Sequence, residues 1–198
     1  MPQSPDPRRR KTITGLTPAR KSAQADATNE SATPAGGSTC PFRVGHGYDI
    51  HRLEAGGRTV LAGIIVSDEV GPIAHSDGDV VIHALVDALL GAIGMGDIGE
   101  LFPDSDPQWK GAASRAFLET AYAKVRNAGF KLANADITIL AERPRIAGFK
   151  AEMVGSLHQL FAGDGAINIK AGTNEGCDAI GRGEAIAAHA VVLLAQHQ

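Results

Sequence analysis

Two rhythms of apolar residues interleave along this chain. Period two marks strands and a spacing of three to four marks helices. Phe42 and Val44 open a strand that runs on through Asp49 and His51, with Gly45 and Gly47 leaving room for close backbone approach. Thr59 to Val66 is a short apolar run broken by Gly63, consistent with a further strand. Turn chemistry at Ser67-Asp68-Glu69 and Gly71-Pro72 leads into a helix whose stripe is Val81, Ile82, Leu85, Ala88, Leu89 and Ile93. Either Asp77 or Asp79 can cap it. The stretch Gly94-Met95-Gly96-Asp97-Ile98-Gly99 is too glycine-rich to continue the helix and opens a long loop through Pro107.

Ala112 to Ala128 returns to helical spacing, with Phe117, Leu118, Ala121, Tyr122 and Val125 on one side and Gly129 as the stop. Ala135, Ile137 and Ile139 alternate with Asp136 and Thr138 in a strand that Glu142-Arg143-Pro144-Arg145 ends. Phe149 to Phe161 reads as a third helix, and Ile167 to Lys170 as a strand running into Gly172-Thr173-Asn174-Glu175. Glu184 to Leu194 is open: its alanines favour helix, while Ala190 to Leu194 suits a buried strand. Strands and helices in alternation predict an α/β or α+β sheet covered by helices.

Composition divides the chain in two. The first 40 residues are rich in Pro, Ser, Thr, Ala, Gly and Arg and hold no aromatic residue, which predicts a disordered extension on a domain spanning 41–198. Six basic residues there (Arg8, Arg9, Arg10, Lys11, Arg20, Lys21) stand against three acids, so the remaining chain is more acidic than the net charge of −3. An acidic body gives no reason to expect nucleic acid as a partner. No apolar run is long enough to span a bilayer, so no membrane partner is expected either. The two cysteines, Cys40 and Cys177, make no disulfide framework and point to a reducing compartment, with the cytoplasm as the expected location. The Arg and Ser of the extension also suit a plastid transit peptide, against which stand Asp6, Asp26, Glu30 and the prolines.

The chemistry starts at Asp49 and His51. Two apart on a strand, they project from the same face and supply a carboxylate and an imidazole side by side. A catalytic zinc centre needs three such ligands and an open position, and His83 in the next segment is the candidate third. Alone, an Asp-x-His pair is an ordinary surface feature, and a histidine in so apolar a helix is an ordinary core residue.

The motifs Gly45-His46-Gly47-Tyr48-Asp49-Ile50-His51, Ala74-His75-Ser76-Asp77-Gly78-Asp79, Gly96-Asp97-Ile98-Gly99, Phe102-Pro103-Asp104 and Gly181-Arg182-Gly183-Glu184 occur in order from Arg43 onward. Together they closely resemble the 2-C-methyl-D-erythritol 2,4-cyclodiphosphate synthase family. The resemblance implies an α+β fold, with a sheet covered on one side by helices, and a homotrimer with the sheets around the threefold axis and active sites at subunit interfaces. It implies conversion of 4-diphosphocytidyl-2-C-methyl-D-erythritol 2-phosphate, a cytidine diphosphate-linked small molecule, into the cyclic diphosphate and CMP in the non-mevalonate route to isoprenoids.

By the same resemblance Asp49, His51 and His83 hold Zn²⁺ or another divalent transition metal, and Glu175 holds Mg²⁺ or Mn²⁺ on the diphosphate. His75 and Thr173 stabilise the transition state. Substrate contacts fall to Asp49, His51, His75, Ser76, Asp97, Gly99, Phe102, Asp104 and Asp106. A second group falls to Ala141, Arg145, Ala147, Ala171, Thr173, Asn174 and Arg182. Because His51 and His83 must be neutral to ligate, zinc binding is expected to weaken as pH falls through about 6.

Three departures from the family pattern stand out. Gly172-Thr173-Asn174-Glu175 replaces Thr-Thr-Thr-Glu, Cys177-Asp178-Ala179 replaces Leu-Gly-Phe, and Arg145 replaces a lysine. They leave open a second reading, a catalytically impaired trimer that binds zinc or isoprenoid diphosphates. A third reading is an unrelated zinc hydrolase. Arg182 is expected either to bind a diphosphate near the trimer axis or to pair with Glu184.

Overall fold

The computed structural model describes residues 40–74, 76–103, 106, 109 and 111–197. Strand β1 (Phe42–Ala55) pairs antiparallel along most of its length with β7 (Ala185–Gln196). On its other side β7 pairs antiparallel with β5 (Phe130–Leu140), and β5 takes β6 (Ala166–Gly172) in parallel. The short β4 (Val70–Pro72) finishes the far edge against the end of β1, giving a five-stranded mixed sheet in the order β4-β1-β7-β5-β6. A separate two-stranded hairpin is formed by β2 (Thr59–Leu61) and β3 (Ile64–Ser67). The parallel β5–β6 pair is joined through helix α4 (Lys150–Leu160), the kind of crossover that parallel strands require.

Helix α1 (Val80–Ala92) lies across β1 and β7, α3 (Ser114–Asn127) packs on α1, and α4 packs on β6. Sequence alternation decides which sheet face they cover. Ile186, Ala188, Ala190, Val192 and Leu194 of β7 are fully buried, as are Ile137 and Ile139 of β5. The opposite face leaves Phe42, Val44, Tyr48, Ile50 and Val191 exposed, Val44 by 69%. Among the described residues, one corner of that face is covered: the short α5 (Asp178–Gly181) places Ile180 against Ala185, Ala187 and Leu140. The architecture is therefore α+β, with a mixed sheet and its main helices on one side.

Small residues let α1 approach β1 closely. A Cβ built on Gly45 would sit 1.8 Å from the carbonyl oxygen of Ala88, and one on Gly47 would sit 1.9 Å from that of Ala84. No side chain larger than hydrogen fits at either position while Ala84, Ala88 and Ala92 hold the helix there. The glycine-alanine seam thus sets how near a side chain on α1 can come to one on β1.

Asp79 is the cap of α1. Its carboxylate accepts from Val81 N and Ile82 N at 3.1 Å each, and also from Ala62 N at 3.0 Å and Gly63 N at 2.7 Å in the β2–β3 turn. Burial pushes this carboxyl up to about 6 against the pull of those amide donors.

The open segment Glu184 to Leu194 is a strand. Its apolar residues alternate with period two against two neighbours, and that pairing overrides the helix propensity of the alanines. The run Thr59 to Val66 is two strands folded back at Ala62-Gly63, not one. The loop expected after Gly94 contains a short helix, α2 (Ile98–Leu101), because the Asp97 side chain accepts from Glu100 N at 2.9 Å. The extension expected over residues 1–40 falls, apart from Cys40, outside the described residues.

Candidate metal centre and its surroundings

Asp49 and His51 extend from β1 towards α1, and His83 extends from α1 towards them. The atoms that meet are Asp49 Oδ2, His51 Nε2 and His83 Nδ1. They form a triangle with sides of 2.9 Å (His83–Asp49), 3.1 Å (His51–Asp49) and 3.2 Å (His51–His83). One carboxylate oxygen and two imidazole nitrogens so close together match the ligand set of an open metal site, in which each lies about 2.0–2.2 Å from the ion. Among the described residues these three are the group that can hold a metal ion.

The electrostatics agree with that role. Burial pushes the Asp49 carboxyl up, but hydrogen bonds and charge from His51 and His83 outweigh it and hold the group well below the usual carboxylate range. Burial pulls His83 down, yet the Asp49 hydrogen bond and charge, with Asp79 and Asp77 beyond, raise it overall. A cation binding at His83 Nδ1 therefore competes with a proton that is held more tightly than on a free imidazole.

Around the trio, His83 Nε2 lies 2.8 Å from Ser114 Oγ and 3.2 Å from Ser76 Oγ. The Ser114 hydroxyl donates to Asp77 Oδ1 and its amide donates to Asp77 Oδ2 at 3.0 Å. Ser114 and Asp77 carry no site role in the sequence reading. A serine 31 positions from the histidine, at the start of another helix, gave no local signal.

Residues 42–195 match the YgbB family. The chain belongs to that family. It is 47% identical over 157 residues to the chloroplastic 2-C-methyl-D-erythritol 2,4-cyclodiphosphate synthase of Arabidopsis thaliana, covering 79% of this chain and 68% of that protein. Against the synthase of Bordetella pertussis the identity is 50% over 157 residues, covering 79% and 97%. Two solved structures share the fold. The bifunctional IspDF of Campylobacter jejuni has a TM-score of 0.76 at 42% identity, over 79% of this chain and 43% of that one. The CDP complex of Plasmodium falciparum IspF has a TM-score of 0.71 at 31% identity, over 81% and 100%.

The remaining positions implied by the resemblance to the cyclodiphosphate synthase family are spread over this chain. Asp97 caps α2, and Gly99 lies within it, exposed. Phe102 is buried, stacked on Phe117 at 4.5 Å and edge-on to Trp109 at 5.0 Å, so its ring is committed to the core. Asp106 donates its amide to the Pro103 carbonyl. His75 and Asp104 lie outside the described residues.

At the β6 edge of the sheet, Ala171 is exposed next to the last residue of that strand, and Thr173 donates to Glu175 Oε1 at 3.1 Å. Ala141 is buried and donates its amide to the Gly172 carbonyl at 3.0 Å, while Arg145 and Ala147 are exposed. Arg145 and Arg182 line one open cleft of about 1220 Å³, together with Glu54, Asp68, Glu69 and Glu142. The Arg182 guanidinium makes two 3.0 Å bonds to Glu184, the ion-pair alternative for that residue.

Strand register measures the gap between the two groups. Asp49 is level with Ala188, Ala188 with Ile139 and Ile139 with Ala171. Three strand spacings therefore separate the metal trio from Ala171 within one chain, about 14 Å. Among the described residues no hydrogen bond joins the Thr173–Glu175 loop to the trio.

The departures in that loop are joined to each other. Asn174 Nδ2 donates to Asp178 Oδ2 at 2.9 Å. Asp178 itself sits at φ 54° and accepts from Ile180 N at 2.8 Å, which suits an aspartate holding a left-handed turn.

Proposed function

We propose that this chain converts 4-diphosphocytidyl-2-C-methyl-D-erythritol 2-phosphate into 2-C-methyl-D-erythritol 2,4-cyclodiphosphate and CMP. It is a phosphorus–oxygen lyase of non-mevalonate isoprenoid precursor synthesis. The observation that carries the reading is the convergence of Asp49, His51 and His83 in a chain 50% identical to a synthase of that name. The CDP complex of a structural relative supports a substrate with a cytidine diphosphate end.

The substrate's own 2-phosphate attacks the β-phosphorus and CMP departs, so the protein supplies no nucleophile. Its work is to fold the substrate back on itself and to neutralise charge where the phosphoryl group moves. Zinc or a similar transition metal at Asp49, His51 and His83, with Mg²⁺ or Mn²⁺ at Glu175, supplies Lewis-acid neutralisation of the diphosphate when bound. His75 and Thr173 donate hydrogen bonds to the transferring group, and Ser76 contacts phosphate. Asp97, Gly99, Phe102, Asp104 and Asp106 form the erythritol end, Phe102 through its backbone. Ala141, Arg145, Ala147, Ala171 and Asn174 form the cytidine and diphosphate end, with Arg182 beyond.

Two features support a homotrimer. The exposed apolar face of Phe42, Val44, Tyr48, Ile50 and Val191 is the kind of surface that seeks a partner. The separation of the Thr173–Glu175 loop from the trio is the second: a neighbouring subunit placed against β1 brings its own loop to that centre. In this reading residues 41–198 carry the activity, residues 1–40 take no part in it, and the protein works in the cytoplasm. Import of the full chain by isolated plastids would replace that location.

The deciding experiment incubates purified protein with the cytidyl substrate, Zn²⁺ and Mg²⁺. CMP release without inorganic phosphate is expected, and absence of CMP sinks the reading.

A further inference from the structure

The hydrogen bonds behind His83 have a direction, and the direction fixes which imidazole nitrogen faces the metal centre. Asp77 uses both carboxylate oxygens as acceptors for Ser114, one for its amide at 3.0 Å and one for its hydroxyl. A serine hydroxyl has a single proton. With that proton committed to Asp77, Ser114 Oγ can only accept from His83 Nε2, 2.8 Å away. Nε2 therefore carries hydrogen. In a neutral imidazole the lone pair then lies on Nδ1, the nitrogen 2.9 Å from Asp49 Oδ2 and 3.2 Å from His51 Nε2.

We propose that Ser114 and Asp77 are positioning residues of the metal centre, an acceptor relay that locks His83 in its ligating tautomer and orientation. The joint between Ser114 and His83 is shielded from water, while Asp77 behind it is half-buried. Ser114 is fully buried and His83 nearly so. Ser76 Oγ, at 3.2 Å from the same nitrogen and itself accepting from Gly78 N, is a weaker second acceptor. A carboxylate behind a metal-bound imidazole fixes its tautomer and raises its basicity, and losing such support costs roughly 10–100-fold in metal affinity. Here the carboxylate acts through one intervening hydroxyl. The inference rests on the metal-centre reading above but not on the identity of the substrate.

The relay separates two substitutions that simple loss of packing would not. Ser114→Ala removes the acceptor and leaves Ser76 as a partial substitute. Asp77→Asn offers Ser114 an amide donor, so the hydroxyl is free to turn its proton towards His83 Nε2, which favours the tautomer with hydrogen on Nδ1. Ser114→Thr keeps the hydroxyl. In Zn²⁺ competition titrations of the full chain against a chelating indicator, Ser114→Ala should lose roughly 10–100-fold in affinity. Asp77→Asn should lose at least as much, and Ser114→Thr should stay near wild type. Side-chain ¹⁵N spectra of wild-type protein with Zn²⁺ should show His83 protonated at Nε2.

Affinities of Ser114→Ala and Asp77→Asn within twofold of wild type, or a His83 protonated at Nδ1, would overturn the relay. If either variant does not fold, the wild-type spectrum still decides. A wild type that releases no CMP but follows this affinity pattern would fail the proposed activity and leave the relay standing.

Discussion

Gly47 lies so close to the carbonyl of Ala84 that a single added carbon would sit 1.9 Å from its oxygen. That contact sets the distance between β1 and α1, and so the reach of His83 to Asp49. Gly47→Ala must push the helix away, with a cost of about 3 kcal/mol at the upper end of the overpacking range. Urea denaturation should show the loss, and Zn²⁺ affinity should fall with it. A variant of wild-type stability would mean that the seam yields without cost.

Asp49→Asn and His83→Ala each remove one ligand of three. Both should abolish stoichiometric zinc, measured by metal analysis after dialysis, with the circular dichroism of the fold retained. One equivalent of zinc per chain in either variant would show the ligand assignment to be wrong.

Asp79 joins the β2–β3 turn to α1 by accepting from four backbone amides, one of them at 2.7 Å. Asp79→Ala orphans those donors in a buried place. A loss of about 2–4 kcal/mol is expected, combining a helix cap with unsatisfied amides. Thermal and urea unfolding measure it, and a loss below about 1 kcal/mol would count against the joint.

Burial and the hydrogen bond to Asp164 push the Tyr122 hydroxyl up to about 12. The chain has two tyrosines, so in Tyr48→Phe the remaining phenol should ionise near 12 by absorbance. Because the folded value is raised, the phenol's contribution to stability is complete below about 10 and is lost as pH rises from there through 12. Tyr122→Phe should flatten that decline. At neutral pH it should cost about 1–3 kcal/mol, since buried Leu132 N also loses its acceptor.

The exposed sheet face tests the assembly. Val44→Asp or Val191→Asp places a carboxylate on the apolar surface without touching the trio. Light scattering should then report monomers that bind Zn²⁺ but release no CMP. Active monomers would show that one chain completes its own site.

Much of this was legible in the sequence, and the reasons differ by element. Ala135 to Ile139 declared itself because one face is buried and one is wet. Asp49 and His51 could be placed on a common face by counting. Glu184 to Leu194 stayed open because a strand buried between two neighbours, and so rich in alanine, looks like helix until its pairing is known. The β2–β3 turn at Ala62-Gly63 hid inside an apolar run, since its partner Asp79 lies 17 positions away from Ala62. Ser114 and Asp77 were invisible as a pair for the same reason: their meeting, 37 positions apart, exists only after α1 and α3 have packed.

The placement of β7 between β1 and β5 has a consequence for synthesis. His46 and His189 come within 3.2 Å although 143 positions separate them, and among the described residues the strand carrying Asp49 has, besides β7, only the three residues of β4 to pair with. A ribosome must therefore deliver nearly the whole chain before Asp49 and His51 have a strand to lie against. Contacts of such range form slowly. Until then the backbone of β1 from Phe42 to Arg52 lacks the partner it has in the folded protein.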